Sequence, residues 1–203
     1  MVRELLVVSY NPGKLKELLT LLADWPAHLV TPAEIGLRLD VPETGATYAE
    51  NARLKAVAHA QASGLWALAD DSGLEVDALG GAPGIRSARY AGENTGDADR
   101  WALLLRRLAH VPWEKRTARF RAVVALAQPD GRVAFAEGVV EGLIAQAPRG
   151  SGGFGYDPLF YIPEYGCTMA ELPPEIKNQI SHRARAIQAA RPIYEAWLRQ
   201  ASG

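Results

Sequence analysis

Helices layered on a sheet are predicted for this chain because strand-like and helix-like segments alternate along it. Three observations carry this reading. An apolar run at Leu5–Val8 leads directly into a helix start at Asn11–Lys14, and a capped helix precedes a second strand-like run at Trp66–Ala69. Two further runs, Phe120–Ala127 and Val133–Val140, flank Pro129, Asp130 and Gly131 and read as a hairpin. At 203 residues the chain fits one domain with room for a small lobe.

The elements follow in order. Asn11 can cap the first helix, and Pro12 occupies its first position, where a missing N–H costs nothing. Leu15, Leu18, Leu19 and Leu22 then make an apolar stripe at helical spacing. Thr47 and Glu50 have the spacing of a capping box, so a second helix is expected from there to Ser63 or Gly64, with Glu43 on a turn just outside it. After the strand at Trp66–Ala69, Asp70 and Asp71 are expected at its end, entering a glycine-rich turn. A helix with Trp101, Leu104, Leu105 and Leu108 on its apolar face is expected from about Asp97 to His110. Arg149–Gly155 reads as a glycine-rich loop, and Pro174–Gln200 as a helical region interrupted near Ser181 and again before Pro192.

Composition excludes several classes. A net charge of -1 gives no broad basic face for duplex nucleic acid, so any phosphate must meet a local site. The single cysteine, Cys167, excludes an internal disulfide and suits a reducing compartment, making the cytoplasm the default expectation. No apolar run is long enough for a signal peptide core or a membrane span. The four histidines, at 28, 59, 110 and 182, show no zinc-ligand spacing.

Four constellations can carry chemistry. Asp70 and Asp71 are adjacent carboxylates whose repulsion a divalent cation would relieve, although an Asx-type turn accepting backbone hydrogens also explains them. Glu43 is the better partner for such a cation than Glu50, which the cap can satisfy. Ser9, Asn11 and Lys14 at a strand-to-helix junction offer donors and a cation to an anion, or form an ordinary cap with a solvated lysine. The run SGGFGYDP lets backbone approach a ligand and holds Phe154 where it can stack on a planar base, with Asp157 steadying the loop; alternatively Phe154 plugs the core. Lys177 groups with Ser181, His182 and Arg183: with Ser181 as cap, His182 and Arg183 put positive charge at a helix start against the usual preference, which an anion or an acidic partner would resolve, or the group is a surface cluster.

Taken together, SYNPGK, ETGATYAENARLKA, ADDSGLEVDALGGAPGIRSARYAG, GGFGYDPLF, AEL and IKNQISHR resemble the inosine triphosphate pyrophosphatase family, which clears non-canonical purine nucleotides. The resemblance spans nearly the whole chain. It implies an α/β protein with a long, highly twisted mixed sheet flanked by helices, one domain over residues 1–203 with two lobes around a nucleotide cleft. It also implies a cytoplasmic homodimer that uses Mg2+ to hydrolyse XTP, ITP or dITP to the monophosphate and pyrophosphate. By motif match, Ser9, Tyr10, Asn11, Pro12, Gly13, Lys14 and Lys55 would meet phosphates, and Glu43 and Asp71 would hold magnesium. Asp71 would also be the proton acceptor, with Asp70 and Lys14 beside it in the catalytic group. Ser72, Lys177, His182 and Arg183 would complete nucleotide contacts, while Phe154, Gly155, Tyr156 and Asp157 would enclose the base. One departure stands out: family members often carry lysine in a GKT block where this chain reads Gly166, Cys167, Thr168.

Overall fold

The structure, a computed structural model, describes residues 3–201. Seven strands form one mixed sheet: β1 (Arg3–Val8), β2 (Ala27–Val30), β3 (Trp66–Val76), β4 (Thr117–Ala127), β5 (Val133–Ile144), β6 (Phe160–Ile162) and β7 (Cys167–Thr168). Their spatial order is β2-β1-β3-β4-β5-β6-β7. β1 runs parallel to both β2 and β3, whereas β6 is antiparallel to β5 and β7. Among the described residues five α-helices accompany the sheet: α1 (Pro12–Leu21), α2 (Tyr48–Ser63), α3 (Asp97–Arg107), α4 (Pro174–Ile180) and α5 (His182–Ala201). The α/β expectation holds, and no helix among the described residues is long and apolar enough to cross a membrane.

The chain divides into two compact units. The first takes the chain up to Asp71, the stretch Ala122–Gly138 and the chain from Arg183 onward; the second takes Ser72–Arg121 and Val139–His182. In the first unit, alternation along β1 and β3 sorts side chains onto two faces. Leu5, Val7, Trp66 and Leu68 pack with Leu18 and Leu22 and with Ala186, Ile187, Ala190, Tyr194 and Trp197 of α5. The Tyr194 ring lies 5.0 Å from Trp25 and 5.7 Å, edge to face, from Trp66. The intervening residues, Leu6, Val8, Ala67 and Ala69, pack instead with Ala52, Ala56 and Ala60 of α2. Alanine on both sides lets that helix lie close to the sheet. The second unit has its own core, in which Leu74, Val76, Leu104, Leu108, Phe120 and Phe160 meet.

The local signals behave as their chemistry demands. The Asn11 side chain accepts from Lys14 N with Pro12 at the first helical position, and Thr47 accepts from Glu50 N. The Glu50 carboxylate reaches Ala46 N at 2.6 Å, one residue before the position a reciprocal cap would use. Gly64 closes α2 in the left-handed region at φ 72°. The hairpin between β4 and β5 is seen, each strand longer than its apolar core.

Three expectations are corrected. The aspartate pair does not end its strand: β3 continues from Trp66 through Asp70, Asp71 and Gly73 to Val76, because the carboxylates find cationic partners and need no solvent. α3 stops at Arg107, three residues short of His110, where Leu108 N turns to the Leu104 and Leu105 carbonyls. α5 is not broken before Pro192, which sits inside the helix. Pro192 and Gln188 are both exposed, so the ring meets water and the Gln188 carbonyl left without its N–H partner can be solvated.

That arrangement retains the propensity cost of proline without a tertiary reason for it. Pro192→Ala is expected to raise stability by about 1–3 kcal/mol, less a few tenths for the freer unfolded chain. A thermal or denaturant melt of the two proteins checks it.

Candidate active site

The register of β3 against β1 ends at Val8↔Ala69, so Asp70 and Asp71 lie just beyond the carboxyl end of β1, where the chain turns through Ser9–Asn11 into α1. The two-residue period continues past that point. Asp70 follows Trp66 and Leu68 toward the face covered by α1 and α5, and Asp71 follows Ala67 and Ala69 toward α2. Their partners divide accordingly. Asp70 Oδ2 lies 3.5 Å from Lys14 Nζ and accepts from Arg183 Nε at 3.2 Å. Asp71 accepts from Asn51 Nδ2 at 3.3 Å and from Lys55 Nζ at 3.4 Å, the two donors being one helical turn apart on α2.

Two linked charge systems result. In one, Arg183 also pairs with Glu17, so Glu17, Arg183, Asp70 and Lys14 alternate in sign. Asp70 and Arg183 side chains are 1% and 2% exposed, whereas Lys14 keeps 20% of its side-chain surface open, so of the two cations Lys14 is the one that can meet a ligand. In the other, Lys55 Nζ donates to Glu43 Oε1 at 2.7 Å while reaching Asp71, so Glu43 and Asp71 converge on one cation from separate segments.

These surroundings push the two aspartates apart. Burial alone would raise the Asp70 carboxyl, but the Lys14 and Arg183 cations outweigh it and hold the group well below the usual carboxylate range. For Asp71 burial prevails over the Lys55 and Lys14 cations, assisted by the Glu43 and Asp70 charges, and the carboxyl lies above its ordinary value. Lys14 is lowered by burial, which Asp70 only partly offsets; Lys55 is raised because Asp71, Asp70 and Glu43 together overcome burial. A strongly anionic anchor thus stands beside a more basic carboxylate.

No group of three His, Cys, Asp or Glu side chains forms a metal cage among the described residues. The donor set nevertheless suits a hard cation. Glu43 and Asp71 both reach one positive group, and Asp70 Oδ1 is buried without a hydrogen-bond partner. One or two carboxylates, with water and phosphate oxygens completing the shell, is the manner in which magnesium is held.

The turn before α1 is tied to α2. His59 Nδ1 sits 2.8 Å from the Lys55 carbonyl, which only accepts, so Nδ1 carries the proton and Nε2 accepts from Tyr10 Oη at 3.1 Å. Tyr10 Oη in turn accepts from Leu39 N at 3.3 Å. Ser9 Oγ accepts from Asn11 N at 3.3 Å.

The second unit holds the remaining expected residues. Ser72 lies on β3. Asp157, 3% exposed, accepts from Phe154 N at 2.9 Å and from Lys177 Nζ at 2.6 Å, and Lys177 Nζ lies 5.2 Å from the centre of the Phe154 ring. Phe154 is partly exposed and belongs to none of the apolar cores, so the core-plug reading of it fails. Gly155 donates to Asp97 at 3.2 Å and accepts from Trp101 Nε1 at 2.7 Å, pinning the loop to α3. Tyr156 is buried and donates to the Ser87 carbonyl at 3.0 Å. His182 is stacked on Phe120 with centroids 4.8 Å apart.

The sequence reading missed Asn51 and Glu17. Asn51 was detectable in principle: a poor helix former inside a helix, four residues before Lys55 and hence on the same face. Glu17 had no such signal, since its partner Arg183 is 166 positions away.

The fold and this site define an α/β protein that gathers carboxylates and lysines at the carboxyl end of a parallel strand pair. The Ham1 family profile matches residues 5–193, and the chain belongs to the Ham1 family. A Geobacillus kaustophilus protein named dITP/XTP pyrophosphatase is 52% identical over 186 residues, covering 92% of this chain and 91% of that one. One of the same name from Thermus thermophilus is 53% identical over 192 residues, covering 95% and 92%. The solved structure of a HAM1 protein from Coxiella burnetii superposes with a TM-score of 0.86 at 42% identity, covering 96% of this chain and 99% of that one.

Two outcomes follow from the second unit. Gly153 has φ +70°, and a Cβ there would stand 2.0 Å from Asp157 Oδ2 and 2.9 Å from Lys177 Nζ. Gly153→Ala is expected to break the Phe154–Asp157–Lys177 arrangement, read as faster hydrogen exchange across residues 151–157 and a melting temperature lowered by about 2–8 °C. The Cys167 thiol is pushed above its ordinary value by burial and by Glu171. Its alkylation rate is therefore expected to keep climbing with pH through and beyond 9.0, since the thiolate forms later than on a free cysteine; iodoacetamide kinetics against a small thiol check this.

Proposed function

We propose that this protein is a nucleoside triphosphate pyrophosphatase that hydrolyses non-canonical purine nucleotides, XTP, ITP and dITP, to the monophosphate and pyrophosphate with magnesium. The observation that carries the reading is the convergence of Glu43 and Asp71 on a single cationic position, Lys55 Nζ, beside the partly open Lys14. Relatives about half identical over more than nine tenths of the chain bear the name dITP/XTP pyrophosphatase, which supports the substrate class.

Glu43 and Asp71 are the residues that would hold the metal. When bound there, magnesium supplies charge neutralisation to phosphate oxygens and makes a water more acidic. The protein's own groups divide the remaining work. Asp71 takes the proton from the water that attacks the α-phosphorus. Asp70 is too strongly held as an anion to accept that proton and anchors Lys14 and Arg183 instead. Lys14 and the backbone N–H groups at the start of α1 meet the phosphates, where charge grows on the departing pyrophosphate. In the second unit, Phe154 offers a ring face to the base while Asp157 and Lys177 keep it in place.

Selection for a keto group at the purine 6-position needs a donor, which meets the amino group of adenine badly and leaves a buried polar atom unpaired. Backbone N–H groups around Phe154 and the His182 ring of the same unit are the candidate donors, whereas Arg183 is committed to Asp70 and Glu17. The homodimer is carried over from the family resemblance and is tested by sedimentation.

A substrate panel decides the reading. ITP, dITP and XTP are expected to release pyrophosphate and the monophosphate in magnesium, with ATP, dTTP and UTP far slower and EDTA abolishing turnover. Release of orthophosphate from the γ-position would defeat it. Asp71→Asn is expected to lower kcat by about 10²–10⁴-fold with nucleotide binding retained; equilibrium binding alongside steady-state kinetics measures both.

A further inference from the structure

Asn51 is fully buried at the fourth position of α2 and makes two hydrogen bonds of opposite sense. Its Oδ1 accepts from Gly45 N at 2.8 Å, and its Nδ2 donates to Asp71 Oδ2 at 3.3 Å. The first bond holds the loop carrying Glu43, two residues before Gly45. That loop lies so close to the helix that a Cβ on Gly45 would stand 2.7 Å from Asn51 Oδ1 and 2.6 Å from Glu50 Cβ. Ala46 N donates to Glu50 at 2.6 Å, so successive loop amides are bound by successive residues of the first helical turn.

We propose that Asn51 is a positioning residue whose carboxamide fixes the Glu43 loop and the Asp71 carboxylate to one another. The inference rests on the function proposed above. The side-chain chemistry is demanding. An amide presents an acceptor and a donor in one plane, which satisfies a backbone N–H on one side and a carboxylate on the other. Leucine, of similar size, has neither group. Aspartate keeps the acceptor but sets a second charge against Asp71, and a lysine would orient Asp71 only by neutralising it. Asparagine alone among these holds Asp71 in a fixed direction without draining the charge that a cation or a proton must find there. Lys55, one turn further along α2, faces the other Asp71 oxygen and Glu43, so the amide and the ammonium together set where the two carboxylates stand.

The experiment compares wild type with Asn51→Leu, Asn51→Asp, Asp71→Asn and the double variant Asn51→Leu/Asp71→Asn. Asn51→Leu is expected to lower kcat for dITP by about 10–100-fold, the usual effect of losing a group that orients a ligand, with KM changed by less than about threefold. Residues 43–46 exchange amide hydrogens faster in that variant while the rest of α2 does not. Asn51→Asp loses kcat similarly yet keeps Gly45 protected, because the acceptor remains. Against Asp71→Asn, adding Asn51→Leu costs less than it does in wild type, since part of its effect acts through the Asp71 carboxylate and only the part acting through the Glu43 loop remains. Should Asn51→Leu fail to fold, Asn51→Asp carries the kinetic test. The proposal is overturned if kcat of the folded variants stays within about twofold of wild type, or if the two losses multiply. Were the wild type to release no pyrophosphate from dITP, the functional reading would fail by itself. The exchange measurement would still judge the tie, and unchanged exchange at residues 43–46 in Asn51→Leu would sink it.

Discussion

Two neighbouring carboxylates placed inside a protein cost free energy unless each meets a cation, and β3 resolves the cost by sending Asp70 and Asp71 to different sides of the sheet. Each side then needs its own positive groups. α1 and α5 supply Lys14 and Arg183 to one, and α2 supplies Lys55 to the other. The positions of three helices are thereby tied to a two-residue step in one strand. A register slip of one residue would exchange the faces and strand both charges among apolar side chains. The alanines of α2 and the aromatic cluster of α5 supply the apolar contact that makes such a slip unfavourable.

The same division separates structural from chemical duty. A carboxylate that is clasped by two cations is stable and chemically inert. One that is crowded by burial and by other acids keeps a raised affinity for protons. Adjacent residues of identical type are therefore shifted in opposite directions because of what lies opposite each. The extra positive charge at the start of α5, unfavourable for a helix taken alone, is accounted for in the same way: Arg183 answers to Glu17 and Asp70 inside the fold.

What could be read from the sequence was what local chemistry decides. Asn11, Pro12, Thr47 and Gly64 mark helix ends because caps depend on neighbours within four positions. The apolar runs of β1, β3, β4 and β5 announced the core. The short strands β2, β6 and β7, four, three and two residues long, carry no period and exist only because a longer strand lies beside them. The continuation of β3 past Asp71 was hidden for the same reason, since only the distant Lys14, Lys55 and Arg183 make carboxylates tolerable mid-strand. Glu43, Asp71 and Lys14 were legible as chemistry. Asn51 was passed over because its partners, Gly45 and Asp71, lie six and twenty positions away on either side of it.

The ion pairs of Arg183 span 113 and 166 positions of sequence, joining the first helix, the third strand and the last helix. Synthesis proceeds from the amino terminus, so Asp70 is made long before the guanidinium that it will bind. While the ribosome works through the intervening stretch, the amino-terminal part has strands and two helices but lacks α5, so the sheet face that α5 shares with α1 is only partly covered. That intermediate exposes apolar side chains beside an Asp70 carboxylate that has Lys14 but not yet Arg183, which gives it reason to stay loosely ordered. The final helix thus completes both the apolar cover of that face and the second cationic partner of Asp70.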